Sequence, residues 1–159
     1  MQGKGLDSAM RDIRYQAAIV RDDHVLMLKV WDHGDTDKTF WVIPGGGREP
    51  GESEAACVRR EVSEETHLEV EVGRLLLDEP DIPGGTYARA KTYLCTIRQN
   101  HGQPSTEPRI GSEDSATILE ISWFDLRSSR HWEPLALSDP ITLARLQGLQ
   151  AVLAYTRKA

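Results

Sequence analysis

Residues 45–68 read GGGREPGESEAACVRREVSEETHL, and the rest of the chain falls into place around them. Three glycines and a proline-containing loop lead into a helix-like segment in which Glu61, Glu64 and Glu65 stand at i, i+3 and i+4. At ~100° per residue their side chains project within an arc of about 100° on one side of a helix. Like charges so placed repel by roughly 0.2–0.5 kcal/mol per pair, so a positive partner is expected among them. A hard divalent cation, Mg²⁺ or Mn²⁺, suits an all-oxygen donor set; a solvated acidic face is the plain alternative.

The flanks of this segment carry helix signals. Ser53 is placed to cap free backbone N–H groups, and Glu52 and Glu54 suit the positive end of the helix dipole. Ala55, Val58 and Val62 form an apolar stripe that would pack on a sheet while the glutamates line a cleft. The helix is expected to end near Thr66.

Taken outward from Gly46, the spacing is five residues, Glu52, seven residues, Arg60-Glu61-Val62, one residue, Glu64-Glu65, one residue, then His67-Leu68. This pattern resembles the signature of the Nudix hydrolases, which cleave diphosphate linkages in nucleoside diphosphates joined to another group. The departure is His67, which stands where the family has a glycine in a left-handed helix cap; the side chain there costs roughly 1 kcal/mol. A metal-binding role for His67 is the lesser reading, since hard cations favour oxygen.

The resemblance implies an α/β fold, an α/β/α sandwich around a mixed β-sheet. It implies Mg²⁺, with Mn²⁺ as substitute, held by Glu61, Glu64, Glu65 and the backbone carbonyl of Gly46. It gives Arg60 a supporting role, pairing in bidentate fashion with a box glutamate, with direct phosphate contact as the alternative. Glu52 would fix the loop against the helix. The catalytic set is Glu61, Glu64 and Glu113: the general base is a box glutamate, Glu61, or an acid of a downstream loop. Glu113 is favoured in the second role over Asp114 and Glu120, because a loop closes over substrate whereas strand residues are more often structural.

Substrate contacts are expected from Arg48, in the loop facing the cleft, and from aromatic residues able to stack on a base, Trp41 and Tyr87 ahead of Trp31 and Phe40. Core or rim packing is the competing reading for each aromatic residue. Pro83, fifteen residues beyond Leu68, resembles a feature of some ADP-ribose and sugar-nucleotide members. The expected substrate is therefore a nucleoside diphosphate derivative of that type. Alternatives are a nucleoside triphosphate pyrophosphohydrolase, a non-catalytic nucleotide-binding module and an isoprenyl diphosphate isomerase. Members of the family often form homodimers.

Composition narrows the classes further. A chain of 159 residues suits one domain, 1–159, with a substantial core. The net charge of −6 and pI near 5.4 argue against binding to DNA or RNA backbones. No apolar run approaches the ~20 residues that span a bilayer, and the N-terminus MQGKGLDSAMRDIR lacks the apolar core of a secretory signal. A small-molecule partner, no membrane and a cytoplasmic location are expected. Cys57 and Cys95 read as small core residues, without CxxC pairing.

In chain order, residues 13–20 and 25–30 read as a hairpin about the polar turn RDDH, and 40–43 as a strand stopped by Pro44. Residues 68–77 read as a strand interrupted at Gly73 by a bulge, 78–86 as a loop, 87–97 as a strand and 98–115 as a long functional loop. The last strand, 117–126, is expected to place Ile118, Glu120 and Ser122 on one face and Leu119, Ile121 and Trp123 on the other. Asp139-Pro140 opens a packing helix to about residue 157, with Leu143, Leu146, Leu149, Val152 and Leu153 at helical spacing.

Overall fold

Along the first strand, β1 (Ile13–Arg21), the side chains of Tyr15, Ala17 and Ile19 go to one hydrophobic core, while those of Ala18 and Val20 go to another. This division organises the protein. The computed structural model describes residues 12–32, 38–80, 87–98 and 116–155. The second strand, β2 (His24–Asp32), divides likewise, Leu26, Leu28 and Val30 entering the first core and Val25 and Met27 the second. A two-residue turn joins the strands, with Asp22 and Asp23 at φ 51° and 62°, as tight hairpin turns require.

The hairpin stays together only at Val20↔Val25 and Arg21↔His24. Beyond these pairs the strands splay. β2 takes β3 (Lys38–Val42) and β7 (Ala116–Asp125) as antiparallel neighbours. β1 takes β4 (Gly45–Gly47) antiparallel on one side and β6 (Arg89–Ile97) parallel on the other, with β5 (Val70–Pro80) antiparallel outside β6. The sheet is therefore mixed.

Helix α1 (Glu54–Thr66) covers the first core with Cys57, Val58 and Val62, all fully buried. Ser53 caps it as expected, its hydroxyl accepting from the Ala56 N–H at 3.0 Å. The helix ends at Thr66, and His67 holds φ 62°, ψ 16°, its N–H donating to the Ser63 carbonyl. The histidine thus adopts the left-handed cap itself.

The second core is closed by α2 (Pro134–Ser138) and α3 (Pro140–Val152). Asp139 caps α3 by accepting from the Ile141 N–H at 3.0 Å, and the Thr142 hydroxyl donates to the Trp41 carbonyl at 2.9 Å, tying the helix to β3. Leu146 and Leu149 are fully buried, a contribution of roughly 1.5–3 kcal/mol each. With α1 on one side and α3 on the other, the architecture is the expected α/β/α sandwich.

Several details differ from the sequence reading. Gly45–Gly47 is a strand rather than plain loop, because Gly45 approaches β1 so closely that a Cβ would lie 2.6 Å from the Tyr15 carbonyl oxygen. In β7, Lys29 faces Glu120 but Val30 faces Ile118, so Leu119 is an extra residue and the strict alternation fails. Ile118, Ile121 and Trp123 share the first core, and Leu119 is 43% exposed. The irregularity around Gly73 is present, with register shifts between Val72 and Leu75 and between Leu75 and Leu77. β5 runs on to Pro80, α3 stops at Val152, and the short helix α2 has no counterpart in the sequence reading.

The strained cap gives a test. His67→Gly, exposed and outside both cores, removes the left-handed penalty and should raise the melting temperature by about 2–4 °C, the shift expected for ~1 kcal/mol in a chain of this size. An unchanged or lower melting temperature would refute the strain.

Candidate functional site

The glycine strand β4 and helix α1 face one another, and their closeness defines the site. A Cβ built on Gly46 would fall on the Glu61 carboxylate, 2.7 Å from Oε2, so only glycine fits there. The Gly45 N–H donates to Glu65 Oε1 at 2.9 Å, and the Cys57 thiol donates to the Gly46 carbonyl at 3.8 Å. One helix face therefore reads the backbone of one three-residue strand.

Arg60 joins the acids. Its Nε and Nη2 donate to the two oxygens of Glu52 at 2.7 and 2.9 Å, the bidentate geometry expected of an arginine–carboxylate pair. Nη2 also donates to the Gly47 carbonyl at 3.0 Å. Nη1 lies 2.9 Å from Glu61 Oε1 and 3.5 Å from Glu64 Oε2. The guanidinium is thus the positive partner between the box carboxylates, and these acids raise its already high pKa further.

The carboxylates differ in their surroundings. Hydrogen bonds from Arg60 hold the Glu52 carboxyl below its ordinary range, and the Glu49 N–H adds a bond at 3.0 Å. Burial pushes Glu61 up to about 7, against the opposing pull of Arg60. Glu64 is more exposed, with 55% of its side chain open to solvent, so it turns at little cost. Among the described residues, no three His, Cys, Asp or Glu groups already converge on one point as metal ligands. The donor set itself, carboxylates with the Gly46 carbonyl, is all oxygen and fits a hard divalent cation rather than a soft one.

Other expected residues are distributed unevenly. Arg48 lies beside the glycine strand with its guanidinium carbon 5.6 Å from the Tyr15 ring centre, and its Nε is buried with no hydrogen-bond partner. The Tyr87 hydroxyl is 3.6 Å from where a Cβ on Gly47 would sit, at the edge of the site. Trp41 is corrected: it is 2% exposed in the second core with its ring 5.1 Å from Phe124, so no substrate ring can stack on it. Trp31 is 39% exposed at the far end of β2. Glu120 is exposed and faces Lys29 across the β2–β7 pair. Glu113, Asp114 and Pro83 lie outside the described residues. Cys57 and Cys95 are buried thiols pushed up to about 12 by burial, which suits core residues and not nucleophiles.

Two neighbours of the site escaped the sequence reading. At the start of α1, Glu54 accepts from the Tyr93 hydroxyl and pairs with Lys91 Nζ at 3.4 Å. On the opposite face of the sheet, Arg14 donates through Nη2 to the Ile43 carbonyl at 2.9 Å. The visible signal was the pair Arg14 and Gln16 on one face of an otherwise apolar strand.

Comparison with known proteins places the sequence and the fold. A diphosphoinositol polyphosphate phosphohydrolase 3-beta of Bos taurus is 39% identical over 110 residues, covering 69% of this chain and 59% of its own. The 3-alpha protein of Homo sapiens is likewise 39% identical, over 112 residues. The chain spans about three fifths of the length of these curated relatives. Among solved structures, a NUDIX hydrolase from Nitrosomonas europaea superposes with a TM-score of 0.63 at 19% identity, covering 93% of this chain and 97% of that one. A UDP-X diphosphatase superposes with a TM-score of 0.62 at 20% identity, covering 99% of this chain and 73% of that one. At such identities these two speak for the fold. The family model described as NUDIX domain matches residues 12–144, most of the chain and all of the Arg60-centred site, and the chain belongs to the Nudix family.

Proposed function

We propose that the protein is a divalent-metal-dependent hydrolase of a phosphoanhydride bond in a diphosphate that links a nucleoside to another group, of ADP-ribose or sugar-nucleotide type. The observation that carries this reading is the packing of Glu61 and Glu65 against the glycine strand, with Arg60 tying Glu52, Glu61 and Glu64 together. Glu61, Glu64, Glu65 and the Gly46 carbonyl would hold Mg²⁺ or Mn²⁺. When bound, the ion supplies charge neutralisation at the phosphate oxygens and a more acidic water.

The chain's own residues supply the rest. Arg60 and Glu52 hold the acids and the loop in register, so their geometry is set before substrate arrives. Arg48 and Tyr87 contact substrate beside Gly47. The proton of the attacking water passes to a carboxylate, Glu61 or Glu113. The two buried thiols weigh against the isomerase reading, and the full set of box acids against a non-catalytic module. The 39% identity to proteins named as diphosphoinositol polyphosphate phosphohydrolases favours a second reading, a diphosphate on a polyphosphorylated ring. Nucleoside triphosphates are the remaining class. Homodimer formation and a cytoplasmic location belong to the same reading; no helix among the described residues is long and apolar enough to cross a membrane.

A panel of ADP-ribose, a sugar nucleotide, a deoxynucleoside triphosphate and a diphosphoinositol polyphosphate, assayed with and without Mg²⁺, tests the reading. Turnover of ADP-ribose or the sugar nucleotide with Mg²⁺ and none after chelation is expected; turnover of the triphosphate or the inositol compound alone would replace the nucleoside diphosphate reading by that one, and no turnover of any refutes hydrolysis. Glu61→Gln and Glu65→Gln should each lower kcat by at least about 100-fold while the protein stays folded by circular dichroism. Full activity in either variant would remove that residue from the metal site.

The raised carboxyl of Glu61 also has a signed consequence. Between its ordinary 4.5 and about 7, the folded protein keeps a proton that the unfolded chain has released. In chelator, stability should therefore fall as pH rises through that window, and Glu61→Gln should flatten this part of the profile. Mn²⁺ competes with the same proton, so it should raise the melting temperature more at pH 8 than at pH 6. Equal shifts at both values would contradict a buried Glu61 ligand.

A further inference from the structure

Arg14 is a half-buried guanidinium held entirely by neutral groups. Its Nε donates to Gln16 Oε1 at 3.0 Å and its Nη2 to the Ile43 carbonyl at 2.9 Å. Gln16, only 1% exposed, donates in turn through Nε2 to the Thr92 hydroxyl at 2.8 Å. A buried polar relay thus runs from β6 through β1 to the residue preceding Pro44 and the glycine strand. It fixes the arginine at two points.

Three neighbouring cations are neutralised by carboxylates, whereas Arg48 rests against the Tyr15 ring. Arg60 has Glu52 and Glu61, Lys91 has Glu54, and Arg89 has Asp78. Arg14 has no carboxylate within 4.0 Å among the described residues, and its Nη1 makes no hydrogen bond there. The guanidinium is thus fixed at two points while Nη1 is not sealed from solvent, and a planar fork held in this way presents donors to an anion. Position agrees. Arg14 faces Gly47 in the β1–β4 pair, beside the Tyr87 hydroxyl, and its charge reaches Glu61 without pairing with it.

We propose that Arg14 is a substrate-contacting specificity residue that binds a phosphate oxygen of the diphosphate, with Gln16 and Thr92 as positioning residues that aim it. This rests on the diphosphate reading above and adds the point at which the anion is gripped on the side of the glycine strand away from α1. Nothing in the relay requires a nucleoside. The contact selects for the phosphates and leaves the attached group to other loops.

Calorimetric binding of imidodiphosphate, a non-hydrolysable diphosphate, to the full chain in Mg²⁺ tests the contact. Arg14→Met should weaken binding about tenfold or more, the loss of one charge-assisted hydrogen bond, while Mn²⁺ affinity stays within about twofold of wild type. Arg14→Lys keeps the charge without the two-point attachment, and Gln16→Leu keeps the arginine without its guide; both should fall between. In turnover, Arg14→Met should raise KM far more than it lowers kcat. Wild-type imidodiphosphate affinity in Arg14→Met, or in Arg14→Lys if the methionine variant does not fold, would overturn the proposal. Parallel loss of Mn²⁺ and imidodiphosphate binding would also overturn it, by showing a purely structural role. A wild-type chain that hydrolyses no diphosphate yet shows Arg14-dependent binding would refute the hydrolase reading and leave the contact supported.

Discussion

The guanidinium of Arg60 is the constraint on which the site depends. Oxygens from four residues on three elements meet on it: Glu52 from the loop, Gly47 from β4, and Glu61 and Glu64 from its own helix. Bringing these acids together without a cation would be unfavourable, and burying Glu61 beside them more so. A planar fork with five donors satisfies several of them at once, which a lysine could not do. The loop, strand and helix are therefore assembled by one side chain before any ligand is considered.

That local assembly is mounted on a frame with two separate cores. Because β1 and β2 each send alternate side chains to opposite faces, the α1 side and the α3 side are packed as separate cores, and the candidate site lies where β4 borders β1 and faces α1. The residues that hold the frame and those that hold the chemistry overlap little. Trp41 shows the boundary: one residue short of the end of β3 and close in sequence to the glycines, it still belongs wholly to the α3 core.

Much of this was legible in the residues. Local signals between Ser53 and Thr66 announced the helix and its N-cap, whereas the α/β/α sandwich came from the family resemblance that the Gly46 to Leu68 spacing carries and not from any periodicity. The left-handed cap at His67 was expected from the glycine that the resemblance puts at that position. What escaped depended on partners distant in the chain. The extra residue at Leu119 arises from how β7 meets β2, and no periodicity within β7 announces it. Trp41 looked like a stacking residue because aromatic character does not reveal which face of a strand is covered. The Arg14 relay spans residues 14 to 92, so its polarity was visible but its purpose was not.

The glycine strand has a consequence for how this site is to be interrogated. At Gly45 and Gly46 the atoms that meet α1 are a main-chain N–H and a main-chain carbonyl, and any added side chain collides with β1 or with Glu61. Side-chain scanning there reports collision and is blind to chemistry. The contribution of the Gly45 N–H to holding Glu65 is instead accessible to backbone editing: an ester in place of that single amide deletes the donor while leaving every side chain, and the space around it, as they are.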